Sequence, residues 1–598
     1  MDKKETLFSF PVNRFLGLNT QSGSASLETG QSPYMKNFRI GDGYSLIKRD
    51  GYISLHDFGE KIRAVLTVHR DTDILFIAAG QKIYTVPLPF DGERLREAGS
   101  IGQSDNCFFM EYFGNVYLWG GGKVQKYDSE TMTFSDAEPY RPLIAVSCGV
   151  HDYSGTPFEE VNMLGGAVKK QFSTPSDGYR TFNLHRLPCK SVDYVKIGTR
   201  TLESSLYSAT PDNNSILISS EVDVPAGTNI VEIGYTLDNV SENYEKIVNC
   251  THFMFYGGEN DTKVFLWGNP EFPDGRFHSA IVDGEPSAVY FPESSFTRIG
   301  DGRRINDIIR QYDRQIIFCD GSAYVSYIEE KVDALGRKGF SFPVRTLSDT
   351  KGSVPIGQAK LIDNVPVTLA YDGLYKWPST SQRDERNTLN ISERINNELA
   401  KEDIKSAKIF DCEREGELYI YFPNGRVYVY AYRKDVFFMY EGIFAHTFFC
   451  GSDGTLYFAG NDGRIYMFGG FTSDDGQPIE CVWHSNYMDM GYFGKKNLYS
   501  IAVMYRQHNN TAFDINWVSD NDTDTCYTSP CVIKSRVLDF TAPSFNFFSF
   551  RTAHAVKNIK HRMRTKRFRY LKIIFKNNSR NNRIHIHRFC LSGKNTEC

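Results

Sequence analysis

The sequence predicts an all-β protein: a β-propeller of about six to eight blades, with an inserted small β-sandwich and a C-terminal β-domain. Three observations predict it. Aromatic residues make up 14% of the chain, with 35 Tyr and 44 Phe, and 49 Gly far outnumber 23 Pro. Aromatic side chains suit half-buried pleated surfaces, and Gly suits tight turns. A degenerate unit (apolar strand, Gly-containing turn, aromatic-bearing strand) recurs along most of the chain, and helical patterns are scarce.

Residues 1–60 read as a platform-like hairpin segment, and residues 61–140 as the first blades. The repeat begins with ILFIAAGQKIYTV from Ile74 and VYLWGGGKVQKYD from Val116. It returns as FMFYGGENDTKVFLWG from Phe253, IIFCDGSAYVSYI from Ile316 and VTLAYDGLYKWP from Val367. LYIYFPNGRVYVYAY from Leu418 and LYFAGNDGRIYMFGG from Leu456 complete the series. Periods of about 40 to 50 residues, with four short strands each, mark propeller blades. In LYIYF and VYVY, Leu418, Ile420, Val427 and Val429 alternate with Tyr419, Tyr421, Tyr428 and Tyr430. Both faces are then apolar or aromatic, as in a sheet packed between two others.

The step from Val116 to Phe253 is too long for one blade. Residues 141–248 hold SVDYVKIGTRTL, NSILISS and PAGTNIVEIGYTL, β-like runs separated by Asn, Asp, Pro and Gly. They predict an inserted β-sandwich-like domain. Residues 249–476 carry the remaining blades. The best helix candidate is NISERINNELAKED, with Ser392 as N-cap and Glu393 and Glu398 near its positive end. Residues 477–598 read as a separate β-domain, basic at its end, with strands such as DINWVSD and RYLKIIFK.

Charge is divided unevenly. Residues 551–598 carry 14 Lys or Arg against the single acid Glu597, or +13, so the overall −4 leaves −17 for residues 1–550. The segment HRMRTKRFRY, from His561, reads as a charged strand entrance followed by the strand FRYLKIIFK. The alternation of that strand puts Arg569, Leu571, Ile573 and Phe575 on one face. Such a segment is an interaction surface, for nucleic-acid phosphate or for an acidic protein. No base-stacking motif accompanies it.

Catalytic and metal signals are weak, and the chain is read as a non-enzyme without a cofactor. His585 and His587 share a strand face, but no third ligand stands at metal spacing. DNDTD, from Asp520, lacks the Gly and Glu of a calcium loop and reads as a turn. The Gly-rich turns GQSDN and GGGK open no phosphate-cradling helix, and no nucleophile elbow occurs. His252 and His446 read as core histidines within aromatic strands. No motif selects the paired carboxylates a glycosidase needs. Twelve scattered Cys without a CxxC pair read as free thiols of a reducing compartment. Neither a secretory leader nor an apolar membrane-spanning run is seen, so no membrane insertion is expected.

The N-terminal run FLGLNTQSGSASLETGQSPYMKNFRIGDGYSLIKRDGYISL, residues Phe15 to Leu55, resembles the opening of the bacteriophage tail nozzle family. This is the tail tubular protein B family of short-tailed phages, with its packaged-DNA-stabilising relatives. Ser32, Pro33, Asn37, Gly41, Gly43, Arg49 and Gly51 carry the likeness. Locally, Ser32 and Pro33 are expected to start a helical turn, and residues 38–40 to pair with residues 44–47 across Gly41 and Gly43. The late IECVWHSNYMDMGYFGKKNLYSIAVMY and the closing KHRMRTKRFRYLKIIFKNN are also similar to that family's C-terminal β-region. The resemblance implies a homo-oligomeric ring, hexameric in the family, below a portal and tail adaptor in the virion tail. Double-stranded DNA would cross its lumen without sequence recognition, and the chain would be made in the host cytoplasm. Lys560, Arg562, Arg564, Lys566, Arg567 and Arg569 are then the expected subunit or adaptor interface. The competing expectation is a glycan- or ligand-binding propeller at a tail tip or cell surface.

Overall fold

The computed structural model describes residues 7–23, 26–103, 106–150, 155–184, 189–210, 214–238, 241–258, 260–300, 302–332, 338–378, 388–506, 508, 510–520, 522–534 and 556–596. The chain is almost entirely β, and its organising unit is a four-stranded antiparallel sheet. Among the described residues, sheets of four strands in chain order occupy residues 62–100, 107–136, 252–298, 305–348, 360–390 and 408–441. A seventh takes three strands from residues 445–471 and its fourth from Gly51–Asp57 near the other end of the chain. These sheets are called blades 1 to 7 below. The first strand of a blade touches the first strand of the next, and blade 7 touches blade 1 in the same way. Between blades 2 and 3 the contact is aromatic: Phe108 stacks on Phe253 at 4.9 Å, and Tyr112 on Phe255 at 5.2 Å. This is β-propeller architecture, with first strands innermost.

The repeated apolar hairpins explain the packing. All of Glu417–Tyr421 is buried, and Val427 to Ala431 is buried opposite it. Each strand therefore has a covered face on both sides. Burial of one such large side chain is worth about 1.5–3 kcal/mol. Six of the sequence hairpins are the second and third strands of their blades. The hairpin at Phe253 instead joins first and second strands, His252–Tyr256 and Lys263–Trp267. Its Gly-rich turn has the same local chemistry in either position, so turn residues alone did not set the phase.

The insertion is a two-sheet unit, with six strands in one sheet and three in the other. Its separate core contains Val168, Phe172, Phe182, Ile216, Ile233 and Tyr235. Asn162 ties its base to blade 3. The Nδ2 group donates to Tyr140 O (2.9 Å) and Val289 O (2.8 Å), while Oδ1 accepts from Leu164 N (3.1 Å) and Phe291 N (3.0 Å). A helix, Ser241–Val248, joins the insertion to blade 3 and lay outside the sequence expectation.

Residues 1–60 are no separate platform, and residues 477–598 no separate domain. Leu7–Val12 and the hairpin Phe38–Ile40 with Leu46–Lys48 join a six-stranded sheet with Lys496–Arg506, Val556–Phe568 and His585–Asn595. Met35–Lys36 joins the facing sheet through Cys481–His484. The two sheets form a sandwich from both ends of the chain. One continuous core runs from Phe15, Phe38 and Trp483 of the sandwich into Tyr428 and Phe438 of blade 6. The hairpin expected across Gly41 and Gly43 is present, whereas Ser32 bridges to Leu18 and Pro33 begins a bend. Ser32 N donates to Gly17 O and its carbonyl accepts from Asn19 N, both at 2.8 Å. Backbone pairing of Ser32 there displaces the expected helical turn. Ser392 likewise caps no helix: its Oγ accepts from Leu374 N (2.7 Å) and donates to Asn396 Oδ1 (2.6 Å), and only short turns, Glu393–Ile395 and Asn396–Leu399, follow. Its hydroxyl is committed to a blade strand. No helix among the described residues is long and apolar enough to cross a membrane.

Candidate functional site

The basic segment is strand from His561 to Phe568. Val556–Phe568 runs antiparallel to Lys496–Arg506 and forms an edge of the six-stranded sheet among the described residues. Met563, Thr565 and Phe568 point inward and are buried, while Lys560, Arg562, Arg564, Lys566 and Arg567 are exposed. Thr565 reads as polar but serves the core, since its Oγ1 accepts from Trp517 Nε1 at 2.9 Å. Register shifts interrupt the pairing between Lys496 and Ser500. Bulges add twist and re-aim side chains. One of them places Arg567 at φ 54, with its amide donating to Asn497 Oδ1 at 2.8 Å. The exposed row is therefore held on a rigid, core-packed strand, not on a loose lead-in.

Five of the six predicted interface residues line one cleft of about 1120 Å³, which Lys495 and Lys594 extend. No carboxylate lines it among the described residues. Lys560, Arg562 and Arg564 make no ion pair with any of the described residues. Lys or Arg on an edge strand guards against unwanted strand pairing. A row this long also carries its own repulsion, which a partner of opposite charge relieves. Arg569 is the exception. It lies in the turn after the strand, where its amide donates to Asp520 Oδ1 at 2.8 Å. Leu571, Ile573 and Phe575 do share a buried face, in the other sheet, but Arg569 is not part of it. The same Asp520 begins DNDTD, and the side chains of residues 521–529 lie outside those described.

The N-terminal motif is a clamp. Arg49 is buried, and its guanidinium takes Asp474 in two bonds, of 2.8 and 2.6 Å. It also donates to Asn37 Oδ1 (2.8 Å) and Glu441 O (3.0 Å) and lies over the Tyr440 ring. Asn37 closes the network: Nδ2 donates to Glu480 O, and Oδ1 also accepts from Glu441 N, both at 2.8 Å. The sandwich, blade 6 and the short strands Ser473–Asp474 and Gln477–Pro478 that extend blade 7 thus meet at two motif residues. Gly51 passes so close to Ser473 that a Cβ would stand 2.0 Å from its carbonyl oxygen. Gly41 faces Ile47 equally closely, and Gly43 takes φ 63 in the hairpin turn.

His585 and His587 lie with ring centroids 4.4 Å apart, and His585 Nε2 is 2.9 Å from Ser45 Oγ. Burial, then the neighbouring His587, pushes His585 down to about 4. No group of three metal-ligating side chains is found among the described residues. His252 and His446 sit on the first strands of blades 3 and 7, and burial is the main influence on both: His252 stacks on Trp267 at 5.8 Å, as expected of histidines packed within aromatic strands.

No family model and no curated protein sequence matches the chain. Among solved structures it is similar to virginiamycin B lyase from Staphylococcus aureus, at 7% identity and TM-score 0.34, over 70% of this chain and 97% of that one. It is also similar to BamB from Moraxella catarrhalis, at 10% identity and TM-score 0.32, over 71% and 97%. A third is the exo-beta-1,3-galactanase from Phanerochaete chrysosporium, at 7% identity and TM-score 0.21, over 91% and 99%. The fold assignment rests on sheet topology and not on these likenesses.

Proposed function

We propose that the protein is a structural subunit of a phage tail nozzle, forming a ring-shaped conduit through which DNA passes and by which packaged DNA is retained. The observation that carries this reading is the rigid basic edge strand beside a cleft free of described carboxylates, on a chain whose first 550 residues carry −17. A negative body repels phosphate and lets DNA slide, while a positive edge holds the acidic surface of a neighbouring subunit or tail adaptor. An edge strand also offers backbone groups for pairing across an interface. The N-terminal resemblance supports the same reading, and its residues serve this chain as an internal clamp.

The test is charge reversal at Arg562, Arg564, Lys566 and Arg567. All four are exposed, so the fold is expected to survive while rings, viewed by negative-stain microscopy with and without the adaptor, fail to form. Unchanged rings with lost DNA affinity would overturn the assignment of the strand. A wild-type protein that stays monomeric with its adaptor would overturn the nozzle reading itself.

A further inference from the structure

The innermost strands of all seven blades run in the same direction, because every blade repeats the same antiparallel order. Their first residues therefore gather at one mouth of the propeller. Six of the seven blades place a basic or imidazole side chain there: Arg63, His252, Arg304, Lys360, Lys408 and His446. Blade 2 contributes Cys107, and Lys61 precedes the first strand. The side chains act on one another across blade boundaries. Lys408 Nζ lies 3.2 Å from His446 Nδ1 and donates to His446 O at 2.7 Å. Arg63 reaches toward blade 2, donating to Gly102 O at 3.3 Å.

Lys61, Arg63, Arg304, Lys360 and Lys408 make no ion pair among the described residues. Asp307 and Asp411 lie on two of the same strands. Asp307 already accepts from Ile308 N (2.8 Å) and Ala359 N (2.5 Å). Burial pushes Asp307 up to about 7 and Asp411 up to about 6, which weakens both as counter-charges. Burial, and then the adjoining cations, hold His252 and His446 near 4. Burial also lowers Lys360 and brings Lys408 down to about 8, so the fixed positive charge of the mouth comes first from Lys61, Arg63 and Arg304, beside neutral imidazoles able to donate hydrogen bonds. A mouth walled by sheet edges focuses such a field.

We infer that this mouth, where the seven innermost strands begin, binds a compact phosphate-bearing polyanion. The site is separate from the basic cleft of the sandwich and does not depend on the nozzle reading. Phosphate oxygens suit the arrangement, because Arg and Lys approach from several blades and bind charge-assisted at short range.

Isothermal titration of the full chain with inorganic triphosphate at low salt tests this. One site is expected, weakened at least tenfold in Lys61→Glu/Arg304→Glu, whose positions are both exposed, and unchanged in Arg562→Glu/Arg564→Glu. Melting curves of both variants report whether each is folded. Absence of triphosphate binding in the wild type, or binding that survives Lys61→Glu/Arg304→Glu, overturns the inference. Loss only in Arg562→Glu/Arg564→Glu assigns the anion to the cleft and overturns it equally, without touching the assembly result.

Discussion

Arg49 and Asp474 form a two-bond ion pair in which the guanidinium is buried, joining the N-terminal hairpin to the extension of blade 7. Burial works against the charge on Arg49, and the bonds to Asp474 outweigh it, so the group stays raised above its ordinary value. Asp474→Ala leaves that charge buried and uncompensated. The expected loss is about 3–5 kcal/mol in urea unfolding. Arg49→Met/Asp474→Leu should recover much of it, since an apolar pair of similar volume avoids the desolvation cost. A double variant no better than Asp474→Ala would show that the loss has another origin.

Gly51 and Gly43 separate crowding from backbone strain. Gly51→Ala puts a Cβ against the Ser473 carbonyl, and about 1–3 kcal/mol should be lost with the outer strand of blade 7 loosened. Gly43→Ala meets nothing within 4 Å and carries only the left-handed φ of 63, so about 1 kcal/mol is expected. Hydrogen exchange of Gly51–Asp57 distinguishes them: only the Gly51 variant should speed it.

If the basic edge strand docks an acidic surface, assembly is salt-sensitive. Exposed charges are screened within about 8 Å at physiological ionic strength. Sedimentation across a salt series should show rings dissociating as salt rises, at constant far-ultraviolet circular dichroism. Assembly indifferent to salt would point to an apolar interface elsewhere.

Acid should destabilise the fold from about pH 6.5 downward. His278 and His484 are held near 3, and His252, His446 and His585 near 4, in every case first by burial. Between those values and 6.5 the unfolded chain binds more protons, so stability falls as pH falls, by up to about 1.4 kcal/mol per pH unit for each such group. Asp307 and Asp411, raised to about 7 and 6, act in the opposite sense, since there the folded chain holds the extra proton. His561 and His587 are lowered as well, and Asp50 and Glu417 raised, so seven histidines against four carboxyls leave a net loss on acidification. The urea midpoint at pH 5 should lie below that at pH 7, and His278→Gln should reduce the difference.

The propeller was legible because each hairpin repeats one message: two strands apolar on both faces around a Gly turn, as at Leu418 to Tyr430. The insertion was legible as a break in that rhythm. The basic row was legible as charge but not as a strand, because its inward positions include Thr565, and bulges shift its register. Pairings across the chain left no local trace. Ser45 meets His585 across 540 residues, and nothing near either names the other. The cationic mouth was hidden for a related reason. Its members come about one per blade, so no stretch of sequence is conspicuously basic, and His252 and His446 look like ordinary residues of aromatic strands.

The outer strand of blade 7 has a consequence in time. Asp57 and its partner Arg464 are 407 residues apart. At about 5–20 residues per second, a ribosome needs roughly 20 to 80 s to make the second after the first. For that interval Gly51–Asp57 waits without its partner strand, and the seventh sheet does not yet exist. Completion of the circle is thus a late act of synthesis. A chain cut short before residue 464 leaves its early blades with an open seam, a form that quality-control proteases can recognise.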